Sequence, residues 1–230
     1  MRALRKTFIK STLLSAIVSC TLSSSILATS PLEDAFTRCY KTKAWATNAQ
    51  GEGSSGTGST LEATEEYRVF LQDFLKSHKI RSVVDAGCGD WEFSQYIDWR
   101  GIQYSGYDIV KSVIIRNKKN FGAPNIKFFQ ANTLEFDLPQ ADLLITKDVL
   151  QHLPIEDIKS FTRHFSKYKY CLITNDINPY RRTSNIQIVA GQYRPIDLTE
   201  PPFNVVGTKI LTFETGWGET KQVLLIDNTK

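Results

Sequence analysis

The 230-residue chain predicts an α/β fold, a doubly wound, mostly parallel seven-stranded sheet that ends in an antiparallel hairpin. Three observations carry that expectation. Between residues 80 and 176, short β-branched and aliphatic runs alternate with stretches of helical period, as parallel strands linked by crossovers do. The strand runs are almost continuously apolar, which suits a sheet covered on both faces. The last two runs, 208–214 and 221–227, are joined by the short turn "TGWG" and read as a hairpin.

Taken in order, residues 1–28 read as a secretory leader. Arg2, Arg5, Lys6 and Lys10 precede an apolar stretch near Leu13–Val18 and small residues that end at Ala28. Serines and threonines interrupt that stretch, so it makes a poor membrane span. "IVSC" (17–20) has the form of a bacterial lipobox, so two exported forms stay open: a chain cleaved at Ala28, or one tethered to a membrane by a lipid on Cys20. The protein is therefore expected to be periplasmic, secreted or lipid-anchored, and cytoplasmic only if the leader is not used. Residues 29–59 read as an irregular segment with Pro31 and Trp45, closed by the glycine-serine tract "GEGSSGTGS" (51–59). That tract is either a flexible linker or a lid over a site.

Residues 60–230 form the predicted catalytic domain. Ser59-Thr60-Leu61-Glu62 has capping-box form, and Tyr67, Phe70, Leu71, Phe74 and Leu75 recur at helical spacing, which predicts a helix over 60–76. Strands follow at 80–87, 102–110, 125–132, 141–148 and 170–176, with helices expected at "WEFSQYIDW", "KSVIIRNKKNFG" and 154–168. In the last of these, Ile155, Ile158, Phe161 and Phe165 share a face behind Pro154.

Charge narrows the function. The net charge is +4, but without the leader the chain carries 24 basic and 24 acidic residues. A near-neutral body lacks the basic footprint of a nucleic-acid binder. Cys39, Cys88 and Cys171 have neither zinc-site spacing nor the even count of a disulfide framework, and read as small buried hydrophobes. No metal cluster is visible in the sequence.

The turn "VVDAGCGDW" (83–91) carries the most chemistry. Gly87 and Gly89 let backbone approach a ligand closely. No Gly-Lys-Ser/Thr follows, and residue 92, where a dinucleotide fingerprint would place glycine, is Glu. Asp85 and Asp90 would repel a pyrophosphate at short range. A nucleoside bearing cationic groups and no phosphate fits better. Asp108 ends the second strand at the spacing where an acid accepts both hydroxyls of a ribose.

"VVDAGCGDW", "GYDIV" (106–110) and "ADLLITKDVLQHL" (141–153) resemble the strand motifs of class I S-adenosylmethionine-dependent methyltransferases. The resemblance spans roughly residues 80–176 and, more loosely, the terminal hairpin. It implies the Rossmann-like methyltransferase fold and S-adenosylmethionine as cofactor. By position it implies that Asp85, Gly87 and Gly89 line the methionine part and that Asp108 holds the ribose. Asn132 stands where the family often has an acid for the adenine amino group, with Thr133 beside it. Lys147 and Asp148 leave the fourth strand near the expected methyl group, either as active-site groups, with Asp148 a candidate base, or as a solvated strand end or fixed ion pair. Trp91 either stacks on the cofactor or anchors the first crossover. His152 is either a general base or a loop-ordering hydrogen-bond group.

"NPY" (178–180) and "PPF" (201–203) echo a motif of nucleic-acid base methyltransferases but follow the fifth strand rather than the fourth. Residues 177–207 form a long connection holding Arg181, Arg182, Tyr193 and Arg194, which suits an acidic or aromatic acceptor. The expected function is methyl transfer to a small-molecule or protein acceptor, and the competing reading is a non-catalytic nucleoside-binding protein. A nicotinamide oxidoreductase is disfavoured by Glu92 and the hairpin. Export of a chain that uses a cytosolic cofactor leaves a conflict that the residues do not resolve.

Overall fold

The computed structural model describes residues 30–48, 51–178, 185–216 and 218–230. The leader with Cys20 and Ala28, the pair Arg181 and Arg182, and Trp217 lie outside the described residues.

Five parallel strands build the first part of the sheet: β1 (Ser82–Ala86), β2 (Gln103–Asp108), β3 (Ile126–Gln130), β4 (Leu143–Lys147) and β5 (Tyr170–Asp176). The hairpin strands β6 (Thr208–Glu214) and β7 (Thr220–Asp227) complete it, with β7 antiparallel to β5. The order is β3-β2-β1-β4-β5-β7-β6. Strand order therefore reverses between β1 and β4, and a ligand crevice belongs outside their carboxyl ends.

Alternation along the strands sorts side chains onto two faces. Val83, Leu143 and Ile145 join Tyr67, Leu71 and Phe74 of α2 (Glu65–Ser77) and the rings of Trp91, Trp99, Tyr104 and Phe128. Val84, Leu144 and Ile173 join Leu150, Ile158, Phe161 and Phe165 on the other face. Helix α3 (Lys111–Phe121) ends at Gly122 as expected, and α4 (Ile155–Phe161) passes into a 3-10 stretch at Thr162–Lys167.

Three elements differ from expectation. Residues 31–41 are not irregular but form α1 (Pro31–Lys41), whose Ser30 cap accepts from the Glu33 amide at 3.1 Å. Its first turn carries Pro31, Glu33 and Asp34 and its last carries Arg38 and Lys41, the charge order that suits a helix dipole. The capping box at 59–62 does not form. Ser59 Oγ donates to the Ser55 carbonyl, Thr60 Oγ1 accepts from the Ala63 amide at 3.2 Å, and α2 starts only at Glu65. "WEFSQYIDW" gives a single 3-10 turn, Ser94–Tyr96, rather than an α-helix. Trp91 opens it in the left-handed region at φ +62°, and Trp99 is drawn into the core, its indole N–H donating to the Ser94 carbonyl at 2.8 Å.

Among the described residues no helix is long and apolar enough to cross a membrane.

Candidate active site

One cleft, enclosing about 930 Å³ of empty space including its mouth, opens at the carboxyl ends of β1, β2 and β4. Asp85, Gly87, Gly89, Trp91, Asp108, Asn132, Thr133, Lys147, Asp148 and His152 all contribute to its walls.

The tight turn follows from sequence. Gly87 and Gly89 adopt φ of +82° and +54°, and the Gly87 and Cys88 amides donate to the Tyr107 carbonyl at 2.8 and 2.9 Å. Side chains at the two glycines would collide with protein atoms. A Cβ on Gly87 would lie 2.3 Å from Val149 Cγ2, and one on Gly89 would lie 2.3 Å from Ser55 Oγ. What the two glycines make room for among the described residues is β4's exit, at Val149, and the N-terminal segment, at Ser55.

Two carboxylates flank the turn, both more than nine-tenths buried. Asp85 Oδ2 accepts from Tyr104 Oη at 2.7 Å. Burial raises its pKa to about 7 despite that bond. Asp108 accepts from the Gly89 amide at 3.1 Å and the Val110 amide at 2.9 Å, and burial raises it to about 6. A buried anion without a matching cation is costly, so both groups favour a ligand that brings positive charge.

The N-terminal segment forms the opposite wall. Tyr40 packs edge to face on Trp45, Phe36 packs tilted against it, and the Trp45 ring lies 5.0 Å from the His152 ring. Ser55 and Asp90 exchange two bonds, Asp90 N to Ser55 Oγ at 2.8 Å and Ser55 N to Asp90 Oδ2 at 3.1 Å. Tyr40 Oη shares a 2.7 Å bond with Ser55 Oγ, and Glu52 pairs with Arg116 of α3 at 3.0 Å. The glycine-serine tract is therefore seated on the cleft. Tyr40 and Ser55 escaped the sequence reading, because nothing in a serine-rich tract marks which serine meets Asp90.

At the end of β4, Asp148 sits at φ +58°, its two oxygens facing two ammoniums. Lys147 Nζ lies 2.5 Å from Oδ2, and Lys221 Nζ of β7 lies 2.8 Å from Oδ1. Lys147 also donates to the Gly58 carbonyl at 2.9 Å and lies 5.7 and 5.5 Å from the Tyr67 and Phe93 ring centres. Lys221, almost fully buried, also pairs with Glu219 at 3.0 Å. Burial alone would raise the Asp148 carboxyl, but the two ammoniums outweigh it and hold the group well below the carboxylate range. Burial, aided by Lys221, lowers Lys147. The dipeptide is a buried ion pair extended by Lys221, and not a solvated strand end, and it lies in the cleft wall.

His152 Nδ1 lies 3.0 Å from the Gln192 carbonyl, which only accepts, so the proton sits on Nδ1 and Nε2 keeps its lone pair. Burial lowers its pKa to about 4, so the ring is neutral at physiological pH. The Trp91 ring packs against Tyr104, Phe121 and Phe128, so its anchoring role is met in the core even though it reaches the cleft wall. Asn132 Oδ1 accepts from the Leu134 amide at 3.1 Å, and the Thr133 carbonyl meets His164 Nε2 at 2.9 Å. Arg194 departs from expectation as an acceptor-binding group. Its buried guanidinium donates to the Ile186, Leu150 and Leu153 carbonyls at 3.0, 3.2 and 2.7 Å, tying the long connection to the β4 exit.

Residues 83–168 match the family model of a methyltransferase domain. Among solved structures, magnesium protoporphyrin IX methyltransferase (ChlM) from Synechocystis PCC 6803 superposes with a TM-score of 0.55 at 14% identity, over 86% of this chain and 94% of that one. The N-methyltransferase NodS from Bradyrhizobium japonicum WM9 gives 0.55 at 13% identity, over 73% and 88%. The methyltransferase domain of bacterial CtHen1-C gives 0.56 at 17%, over 72% and 98%. At these identities the likeness establishes the fold. A search of curated proteins finds no match. The matched residues carry a methyltransferase domain, and the match and the sheet order together are consistent with the class I S-adenosylmethionine-dependent methyltransferases.

Proposed function

We propose that the cleft binds S-adenosylmethionine and moves its methyl group to a small-molecule or protein acceptor. The observation that carries this reading is a turn with glycine at 87 and 89, set between two buried carboxylates whose pKa values burial raises, at the point where strand order reverses. A cationic amino acid relieves that buried charge, whereas a pyrophosphate would add to it. Two of the similar proteins support the choice: ChlM holds bound S-adenosylmethionine or S-adenosylhomocysteine, and NodS holds S-adenosylhomocysteine.

In this reading Asp85 and the Gly87–Gly89 backbone hold the amino-acid end. Asp108 takes the ribose hydroxyls with the lone pairs its two amide donors leave. Asn132 and Thr133 border the adenine. The bound cofactor supplies a methyl group already activated on a sulfonium, so the protein mainly positions the acceptor and excludes water. Lys147 lies at the transfer end as a fixed, partly desolvated cation. Asp148, with both oxygens committed to ammoniums, is a positioning group and not a base. His152 presents Nε2 as a hydrogen-bond acceptor that orients an acceptor O–H or N–H. Residues 31–48 and 51–59 act as a cover, with Tyr40, Trp45 and Ser55 as its contact points. For location, the leader pattern of residues 1–28 supports export or a lipid tether.

Titration with S-adenosylhomocysteine, followed by transfer of labelled methyl from S-adenosylmethionine into separated small-molecule and protein pools, tests the proposal. Binding with label in one pool supports it and identifies the acceptor class. Binding without label in either pool would leave a nucleoside-binding protein.

A further inference from the structure

Lys221 lies on β7, in the antiparallel part of the sheet between β5 and β6 and far in sequence from the cleft motifs, yet its side chain is 1% exposed and its ammonium meets Asp148 and Glu219. Asp148 in turn holds Lys147, which donates to the carbonyl of Gly58 in the N-terminal cover. The cover passes tightly over this group. A Cβ on Gly58 would lie 3.2 Å from Asp148 Oδ2, 3.5 Å from Glu219 Oε2 and 3.6 Å from Lys221 Cε. A continuous polar chain thus runs from Glu219 through Lys221, Asp148 and Lys147 to the Gly58 carbonyl.

Building on the methyltransferase reading, we propose that Lys221 is a positioning residue: by holding one oxygen of Asp148 it keeps Lys147 aimed at Gly58, and so latches residues 56–60 over the transfer end of the cleft. The physical reason is the fixing of one carboxylate. Lys221 holds Oδ1 of Asp148, so Oδ2 holds Lys147 where another of its three donors reaches the Gly58 carbonyl. Without Lys221 the Asp148 carboxylate is held from one side only and turns, Lys147 follows the charge rather than the neutral carbonyl, and the cover loses its donor. The antiparallel pairing of β5 and β7 makes the contact, since it sets Lys221 opposite Asp176 at the carboxyl end of β5, beside β4's exit.

The test compares wild type, Lys221→Met, Lys221→Arg, Lys147→Met and the Lys147→Met/Lys221→Met double variant, all as full chain. Amide hydrogen exchange and the dissociation rate of S-adenosylhomocysteine are measured. Lys221→Met should speed dissociation about tenfold, the loss of one charge-assisted tie. It should raise exchange at the Ser59 and Thr60 amides while the β1 and β4 amides keep their protection. Lys221→Arg should restore both readings. The double variant should dissociate no faster than Lys147→Met alone, because both changes break one chain. Additive effects, or faster exchange across the whole sheet with no rescue by arginine, would overturn the latch. If Lys221→Met does not fold, the arginine variant and a Glu219→Gln variant carry the comparison, the latter expected to loosen the same two amides. Wild type that fails to bind S-adenosylhomocysteine sinks the methyltransferase reading itself, whereas wild type that binds with an unchanged rate in Lys221→Met sinks only this inference.

Discussion

Replacing Asp85 by Asn should stabilise the cofactor-free protein and weaken cofactor binding at the same time. The side chain is buried and its carboxyl is raised from 3.8 to about 7, chiefly by burial. A group raised in the folded state contributes stability that is complete below its unfolded pKa, near 4, and is lost as pH rises through about 7. The full displacement corresponds to about 4 kcal/mol at pH 8. Relaxation around the charge reduces this, so about 2 kcal/mol is the expected gain from Asn at pH 8, with little gain near pH 4. Asn has the size of Asp and its oxygen still accepts from Tyr104, so the change removes charge and little else. For a chain of this length the gain corresponds to a rise of about 4–8 °C in Tm. Thermal unfolding from pH 4 to pH 8, with and without S-adenosylhomocysteine, reads both effects. The gap between variant and wild type should widen with pH in the free proteins and shrink or reverse when ligand is present. A variant less stable than wild type at pH 8, or one that binds as tightly, would refute the claim that Asp85 is a buried anion waiting for a cation.

Three further outcomes follow from the same geometry. Asp108→Ala should weaken S-adenosylhomocysteine binding by about 1–3 kcal/mol by leaving ribose hydroxyls unpaired, measured by calorimetry. Asp148→Asn should destabilise the fold by about 3–5 kcal/mol, because Lys147 and Lys221 are then buried face to face without their shared anion; denaturant unfolding reads the loss. Gly89→Ala should displace Ser55, whose Oγ occupies the space the new methyl needs, so limited proteolysis within residues 51–59 should accelerate while the strand core stays resistant.

The central strands β1, β4 and β5 were legible because each holds a short apolar run, and burial on both faces demands that pattern, whereas the more polar β2 and the edge strand β3 were legible from their place in the alternation. Asp85, Gly87, Gly89 and Asp108 were legible because they sit within one strand-turn-strand unit. What failed did so for identifiable reasons. Residues 30–41 carry a Ser-Pro start, early acids and late bases, yet so short a segment beside a glycine-serine tract gives no clear helical period. "WEFSQYIDW" holds residues that suit a helix, but burying Trp91 and Trp99 in one aromatic cluster required an irregular path. Arg194 looked like a substrate cation, and only tertiary structure reveals three carbonyls that need its guanidinium. Lys221 gave no local signal at all. A lysine in a strand reads as solvent-facing, and its meeting with Asp148 depends on the reversed pairing of β7 with β5.

Calorimetric titration of the purified chain with S-adenosylhomocysteine and, in parallel, with NAD tests the central claim most directly. The account predicts saturable one-to-one binding of the sulfur nucleoside that weakens as pH falls below about 7, as Asp85 takes up a proton, and no measurable heat with the dinucleotide. Binding of NAD with indifference to S-adenosylhomocysteine would contradict it.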